Sequence, residues 1–246
     1  GQHFLRDKNI IKKLIRYISI DPMDNVIEIG PGDGALSEII AKKAKQLTLI
    51  EKDLDLINKL KYTFRDFNNV EIKNDDILKI DLSKLVKPKI KIIGNLPYNI
   101  STEILFKLLD ISKNVESMHF MLQKEVVDRI IAKPNSKIYG RLSVMIQVYY
   151  KTKKLFDISP EVFIPKPKVL SSYIILIPKN IVFDNHLHEI NFKKIVNAAF
   201  STRRKMLKST LKDHISIDVL EELDIKPNDR AENLSPEIFY NLARYV

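Results

Sequence analysis

Val26-Ile27-Glu28-Ile29-Gly30-Pro31-Gly32-Asp33-Gly34 is the stretch on which the fold turns. Its first four residues, mostly β-branched, read as a strand, and a glycine-studded turn follows at once. Three of the six glycines in the chain fall in this turn. Glycine permits a tight turn and lets a ligand approach backbone closely. Leu36–Lys45 carries helical apolar spacing, so the turn opens into a helix whose first N–H groups are unpaired. Working outward, Leu47–Ile50, Val70–Ile72, Ile90–Ile93 and Met118–Leu122 read as further strands. Leu54–Phe64 and Thr102–Leu109 read as helices between them. Strand–helix alternation of this kind builds an α/β domain, a parallel sheet with helices on both faces. Ligands in such sheets bind at the carboxyl ends of the strands, so residues just past each strand carry the interest.

Past this region the pattern changes. Leu155–Ile158 and Ser172–Ile177 predict two strands joined by the proline-punctuated loop Pro160–Pro167, a hairpin that ends the sheet. After Asn180 the spacing is helical to the last residue. The expected organisation is therefore a catalytic domain over residues 1–180 and a small all-helical domain over residues 181–246. A length of 246 residues suffices for both.

Composition narrows the function classes. The chain has no cysteine, which excludes disulfides, thiolate metal sites and cysteine nucleophiles and fits a reducing cytoplasm; separately, no metal is expected. No apolar run is long enough to cross a bilayer, and no secretory signal opens the chain. The formal net charge is +10. Residues 1–180 hold 31 Lys and Arg against 21 Asp and Glu, while residues 181–246 hold 10 against 10. Either a polyanionic partner such as nucleic acid or a lysine-rich coding bias that keeps the surface solvated accounts for that excess.

The strand ends carry the chemistry. A glycine-rich turn alone would suit a dinucleotide dehydrogenase or a methyltransferase. Asp33 inside it argues against a pyrophosphate and for the ammonium and sulfonium charges of S-adenosyl-L-methionine. Glu51, at the end of the second strand, is placed to accept hydrogen bonds from both ribose hydroxyls of a nucleoside. Asp76, or Asp75 beside it, follows the third strand and could accept from the adenine amino group of the cofactor. Asn95-Leu96-Pro97-Tyr98 follows the fourth strand. The lone pair of adenine N6 is delocalised into the ring. Two acceptors, the Asn95 side-chain oxygen and the Leu96 carbonyl, can bind both N–H bonds of that amine and free the lone pair toward a methyl donor. Tyr98 can stack on a base that has left its helix. A plain strand-ending turn would also use Asn and Pro; the company of Gly30, Gly32, Glu51 and Asp76 favours the catalytic reading.

These motifs resemble the ribosomal RNA adenine dimethylase family over nearly the whole chain. Gln2-His3-Phe4-Leu5 resembles its N-terminal signature, with His3 where asparagine is usual, and the resemblance implies cofactor contacts for His3 and Leu5. Glu28–Gly34 resembles its cofactor loop, and Asn95–Ser101 is similar to its catalytic motif. Gln123–Val126 and Tyr139–Val144 match further family blocks, while Phe200–Leu207 and Asp229–Ser235 resemble its two C-terminal signatures. Phe163 corresponds to an aromatic that faces the target base opposite the tyrosine; as a bare residue it reads equally as hairpin core. Arg203, Arg204 and Lys205 either touch RNA phosphates or are solvated. The resemblance implies a Rossmann-like class I methyltransferase domain and N6,N6-dimethylation of two adjacent adenosines in small-subunit ribosomal RNA. It further implies an assembling ribosomal subunit as partner and a cytoplasmic monomer. Rival readings are a large-subunit RNA methylase of the antibiotic-resistance type, a non-enzymatic RNA-binding assembly factor, and an NAD-dependent dehydrogenase. The basic leader that precedes the signature in the family is not in this sequence.

Overall fold

The structure, a computed structural model, describes residues 2–180 and 183–246; residues 181 and 182, where the helical domain is expected to begin, lie outside the described residues. The strands are β1 (Phe4–Leu5), β2 (Asn25–Ile29), β3 (Gln46–Glu51), β4 (Val70–Asn74), β5 (Ile90–Asn95), β6 (Val115–Gln123), β7 (Tyr150–Ile158), β8 (Phe163–Ile164) and β9 (Ser171–Pro178). The helices are α1 (Lys8–Ile18), α2 (Ser37–Ala41), α3 (Leu54–Thr63), α4 (Ser101–Leu108), α5 (Lys124–Ile130) and α6 (Arg141–Tyr149). Beyond them come α7 (His186–Ala199), α8 (Leu207–Thr210), α9 (Ile217–Glu222) and α10 (Pro236–Leu242).

Seven strands form one sheet in the order β4-β3-β2-β5-β6-β9-β7. β2 pairs in parallel with β3 and β5, β3 with β4, and β5 with β6; β9 then runs antiparallel to β6. β2, β3 and β5 are buried along nearly their whole length, as expected of parallel strands covered on both faces. All five expected parallel strands and the terminal hairpin are present. The expected Leu36–Lys45 helix is shorter, Ser37–Ala41, and gives way to turns. The proline loop of the hairpin contains β8, which pairs antiparallel with β1.

α1 begins at Asp7, whose carboxylate accepts from the backbone N–H of Asn9 and Ile10 at 2.8 Å. Its buried face is Ile11, Leu14, Ile15 and Ile18. The Lys91 ammonium, at the foot of β5, is buried with Asp24: it donates to Asp24 Oδ2 at 2.7 Å and to the Ser19 carbonyl at 2.9 Å. Paired and hydrogen-bonded in this way, a buried charge is tolerated.

The chain divides into two compact units, Gly1–Val127 with Lys153–Pro178, and Asp128–Thr152 with Lys179–Val246. The second unit thus takes in residues 128–152 besides the C-terminal helices. Within it the family blocks hold one another. The Tyr139 hydroxyl donates to the Leu234 carbonyl at 2.9 Å, and the Tyr139 ring meets Phe200 edge-on. Arg203 reaches Glu232 and the Lys137 carbonyl.

Candidate active site

The carboxyl ends of the central strands form a level rim because of their register. Ile29 pairs with Ile50 on one side and Gly94 on the other, and Glu51 pairs with Asn74. Chain order reverses between β2 and β5, which makes their tips a topological switch point. Gly94 keeps the two strands close there: a Cβ on it would lie 2.6 Å from the Ile29 carbonyl oxygen. A cleft of about 440 Å³ opens at this point. Gly30 and Gly32 line it beyond β2, Glu51 at the end of β3, Asp75 and Asp76 beyond β4, and Asn95, Leu96, Pro97 and Tyr98 beyond β5. His3 completes the wall. Gly32 has φ +60°, and a Cβ on it would meet the Phe4 ring at 2.9 Å, so the turn needs glycine for both conformation and space.

The Asn95 side chain is held by one end. Its Nδ2 donates to the His3 carbonyl at 2.8 Å, while Oδ1 is buried and accepts from no described residue. A buried acceptor without a donor calls for an explanation, and an amine ligand provides one. Leu96 N donates to the Met121 carbonyl at 3.2 Å, which ties the motif to β6 just past the β5 tip. The Tyr98 hydroxyl is paired with Ser171 Oγ at 2.6 Å, and burial raises its pKa. The phenol therefore stays protonated at neutral pH, which disfavours a role as a base. The His3 ring stacks on Tyr98 with centroids 5.5 Å apart, and His3 Nδ1 lies 2.7 Å from the Pro165 carbonyl oxygen.

Carboxylates dominate the other wall. Glu51 Oε1 accepts from the backbone N–H groups of Lys52 and Asp53 at 2.8 and 3.0 Å, which fixes the side chain at the strand tip. Asp76 Oδ2 takes the Lys52 ammonium at 2.9 Å, and Oδ1 takes Leu78 N at 2.9 Å. The hydrogen bond from Lys52 is the main cause that holds the Asp76 pKa below its ordinary value. Asp75 Oδ1 accepts from Asp76 N at 2.8 Å. Asp53 lines the same wall and is tied to Gln2 Nε2 at 2.9 Å. A wall of four carboxylates in a chain of net charge +10 selects a cationic ligand.

Three expected residues lie elsewhere. Asp33 Oδ2 is buried 2.5 Å from Arg6 Nη1, an ion pair without directed hydrogen-bond geometry, and Asp33 lines a smaller cavity behind the glycine turn. The carboxylates that line the cleft itself are Glu51, Asp53, Asp75 and Asp76, while Asp33 shares its smaller cavity with His3, Gly30, Gly32 and Asn95 of the cleft wall. Leu5 is buried and lines the same smaller cavity, not the cleft. Phe163 is 2% exposed, in the core, with its backbone paired to Leu5. Sequence reasoning passed over Gln2, Lys52 and Asp53, whose partners sit up to 51 residues away. Only the folded registers bring them to the cleft.

The profile of the family described as ribosomal RNA adenine dimethylase matches residues 1–246. A ribosomal RNA small subunit methyltransferase A of Neisseria meningitidis serogroup A is 42% identical over 246 residues, covering 100% of this chain and 94% of that one. The enzyme of the same name from Francisella tularensis subsp. novicida is 44% identical over 257 residues, covering 100% and 95%. Among solved structures, a dimethyladenosine transferase from Plasmodium falciparum superposes with a TM-score of 0.84 at 27% identity, covering 98% of this chain and 96% of that one. The 23S rRNA methyltransferase ErmE superposes at 0.72 with 22% identity over 98% of both chains, a likeness of fold. With a profile match along its full length and a cleft built on the glycine turn and Asn95–Tyr98, the chain belongs to the ribosomal RNA adenine dimethylase family of S-adenosyl-L-methionine-dependent methyltransferases.

Proposed function

We propose that this chain dimethylates the exocyclic N6 of two adjacent adenosines in the 3′-terminal hairpin of small-subunit ribosomal RNA. It does so on an assembling subunit, as a monomer in the cytoplasm. The observation that carries this reading is the unpartnered, buried Asn95 Oδ1 at the β5 tip.

The cleft fits the methyl donor. Glu51, with Oε1 bound by backbone, leaves Oε2 for ribose hydroxyls, and Asp75 and Asp76 lie where an adenine amino group would seek an acceptor. The glycine turn supplies a surface without side chains, and the acidic wall matches a positive charge. When bound, S-adenosyl-L-methionine supplies an electrophilic methyl group on a sulfonium. Asn95 Oδ1 and the Leu96 carbonyl accept the two N–H bonds of the target amine and draw its nitrogen toward a tetrahedral shape. Tyr98, fixed by Ser171, offers its ring to the purine. His3, now resting on that ring, marks the stacking face. The methylated nitrogen is cationic and sheds its proton without a strong base, which agrees with a protonated Tyr98.

The test supplies isolated small subunits and large-subunit RNA in parallel with labelled methyl donor, followed by mass spectrometry of the nucleosides. Dimethyladenosine in the small-subunit RNA is expected; labelling confined to large-subunit RNA would overturn the reading.

A further inference from the structure

α1 has a second face that the catalytic reading leaves unused. Asn9, Lys12, Lys13, Arg16 and Tyr17 recur at the spacing of one helical stripe, away from the buried Ile11, Leu14, Ile15 and Ile18. All five side chains are exposed, and they line a concavity of about 520 Å³. Among the described residues, no carboxylate comes within 4.0 Å of Lys12, Lys13 or Arg16. An ordinary solvated helix face mixes signs, whereas these three cations stand together with no compensating charge.

Two details point to a ligand rather than to water. The Lys13 ammonium lies 3.6 Å from the centroid of the Phe156 ring on β7. A cation–π contact holds the ammonium in place without neutralising it, so it stays available to an anion. Tyr17 is 43% exposed, yet its ring is braced by Phe156 at 5.8 Å and Tyr173 at 6.2 Å. A rigid aromatic with one open face, next to uncompensated cations, is the pairing that single-stranded nucleic acid uses: base on ring, phosphates on ammonium and guanidinium. Lys12 and Arg16, one turn apart, match the separation of neighbouring phosphates. The helix also starts close to the chemistry, since Lys8 follows His3 of the cleft wall by five residues.

We propose that this face of α1 is a binding site for a ribose-phosphate segment flanking the target adenosines. Lys12, Lys13 and Arg16 neutralise phosphates there, and one base stacks on Tyr17. The proposal rests on the reading of the chain as an RNA methyltransferase and adds to it a second point of contact outside the cleft.

The experiment measures binding of a small-subunit ribosomal RNA fragment, containing the 3′-terminal hairpin and its single-stranded flanks, by fluorescence anisotropy over a potassium chloride series. The full chain is compared with Lys12→Gln/Lys13→Gln/Arg16→Gln and, separately, with Tyr17→Leu. Three lost phosphate contacts flatten the slope of log affinity against log salt by about 2. Loss of one stacked base weakens binding by roughly 5- to 100-fold and leaves that slope alone. Cofactor affinity by calorimetry should match the parent chain, and the thermal midpoint of the triple variant should fall only slightly, by the loss of the Lys13–Phe156 contact, because the three side chains are exposed. If the triple variant binds within twofold of the parent with the same slope, the α1 site is overturned while the methyltransferase reading stands. If the parent chain itself neither binds nor methylates the RNA, the functional reading fails and takes this site with it.

Discussion

At the residue scale, two buried oxygens set the clearest expectations. Asn95 is held through one end of its amide: Nδ2 donates to the His3 carbonyl, while Oδ1 is buried without a partner and, on the proposed function, accepts from the target amine. Asn95→Ala removes a hydrogen-bond acceptor aimed at the reacting nitrogen, and losses of about 10²- to 10³-fold in kcat are usual for such a group. Cofactor affinity should change much less, because the proposed function assigns that ligand chiefly to Glu51 and the glycine turn. Single-turnover kinetics alongside calorimetry separates the two; near-normal turnover would contradict the role. Glu28, one residue before the tip of β2, is 3% exposed and accepts from Ser37 Oγ at 2.6 Å. Burial pushes its pKa from 4.5 up to about 7, with the nearby charge of Glu51 acting in the same direction and the Ser37 hydrogen bond against it. A carboxyl with a raised folded-state pKa favours folding only while protonated. The contribution of Glu28 to stability is therefore most favourable below about pH 4.5, declines as the pH climbs toward 7, and is level above that. Glu28→Gln imitates the protonated acid, so it should match the parent chain near pH 4.5 and exceed it at pH 8 by up to about 3 kcal/mol. Thermal midpoints at the two pH values check this, and equal midpoints at pH 8 would count against it.

At the scale of elements, the strand tips do the positioning, and the tightest point is Gly94 between β2 and β5. Gly94→Ala drives a methyl group to 2.6 Å from the Ile29 carbonyl and 3.0 Å from Leu96 Cδ2. Neither the backbone nor the buried Leu96 has room to yield. The strands must part, at a cost of about 1–3 kcal/mol in stability, and cofactor affinity should fall as well because Gly30 and Asn95 move apart. Denaturant unfolding and calorimetry on the same variant would show both effects; a loss of stability alone would mean that the tips tolerate the shift. The elements legible in the sequence were those with a strong local signal. β2, β3, β5 and β6 are dominated by apolar residues, and the glycine turn announces itself, so the sheet and most of the cleft could be read directly. β1 and β8 are two residues each and exist only through pairing with one another across the chain, which no local pattern reveals. The same pairing buries Leu5 and Phe163, which is why neither reaches the cleft. The ion pair of Asp33 was hidden for a related reason: its partner Arg6 comes from the chain leading out of β1, 27 residues earlier in sequence.

For the whole molecule, the distribution of charge differs between chain order and compact unit. A boundary at residue 180 puts all the basic excess in the N-terminal part. The compact units divide it evenly: the unit of Gly1–Val127 with Lys153–Pro178 holds 25 Lys and Arg against 20 Asp and Glu, and the other holds 16 against 11. The difference arises in residues 128–152, which carry five basic residues and one acidic, and in Lys179. Within the first unit the cleft is acidic, so its positive surface lies outside the cofactor site, α1 included. Attraction to RNA is therefore shared by both units and cannot rest on one helix. Affinity for the ribosomal RNA fragment should fall about a hundredfold or more between 50 and 200 mM salt, as when five or more phosphates are neutralised. The variant lacking the α1 cations should keep a measurable part of that dependence, since the surplus of the second unit is untouched. Anisotropy titrations across the salt range read both quantities. A flat response in the parent chain would detach the net charge from function altogether, and complete loss of the slope in the variant would leave the basic segment 128–152 without a part in RNA binding.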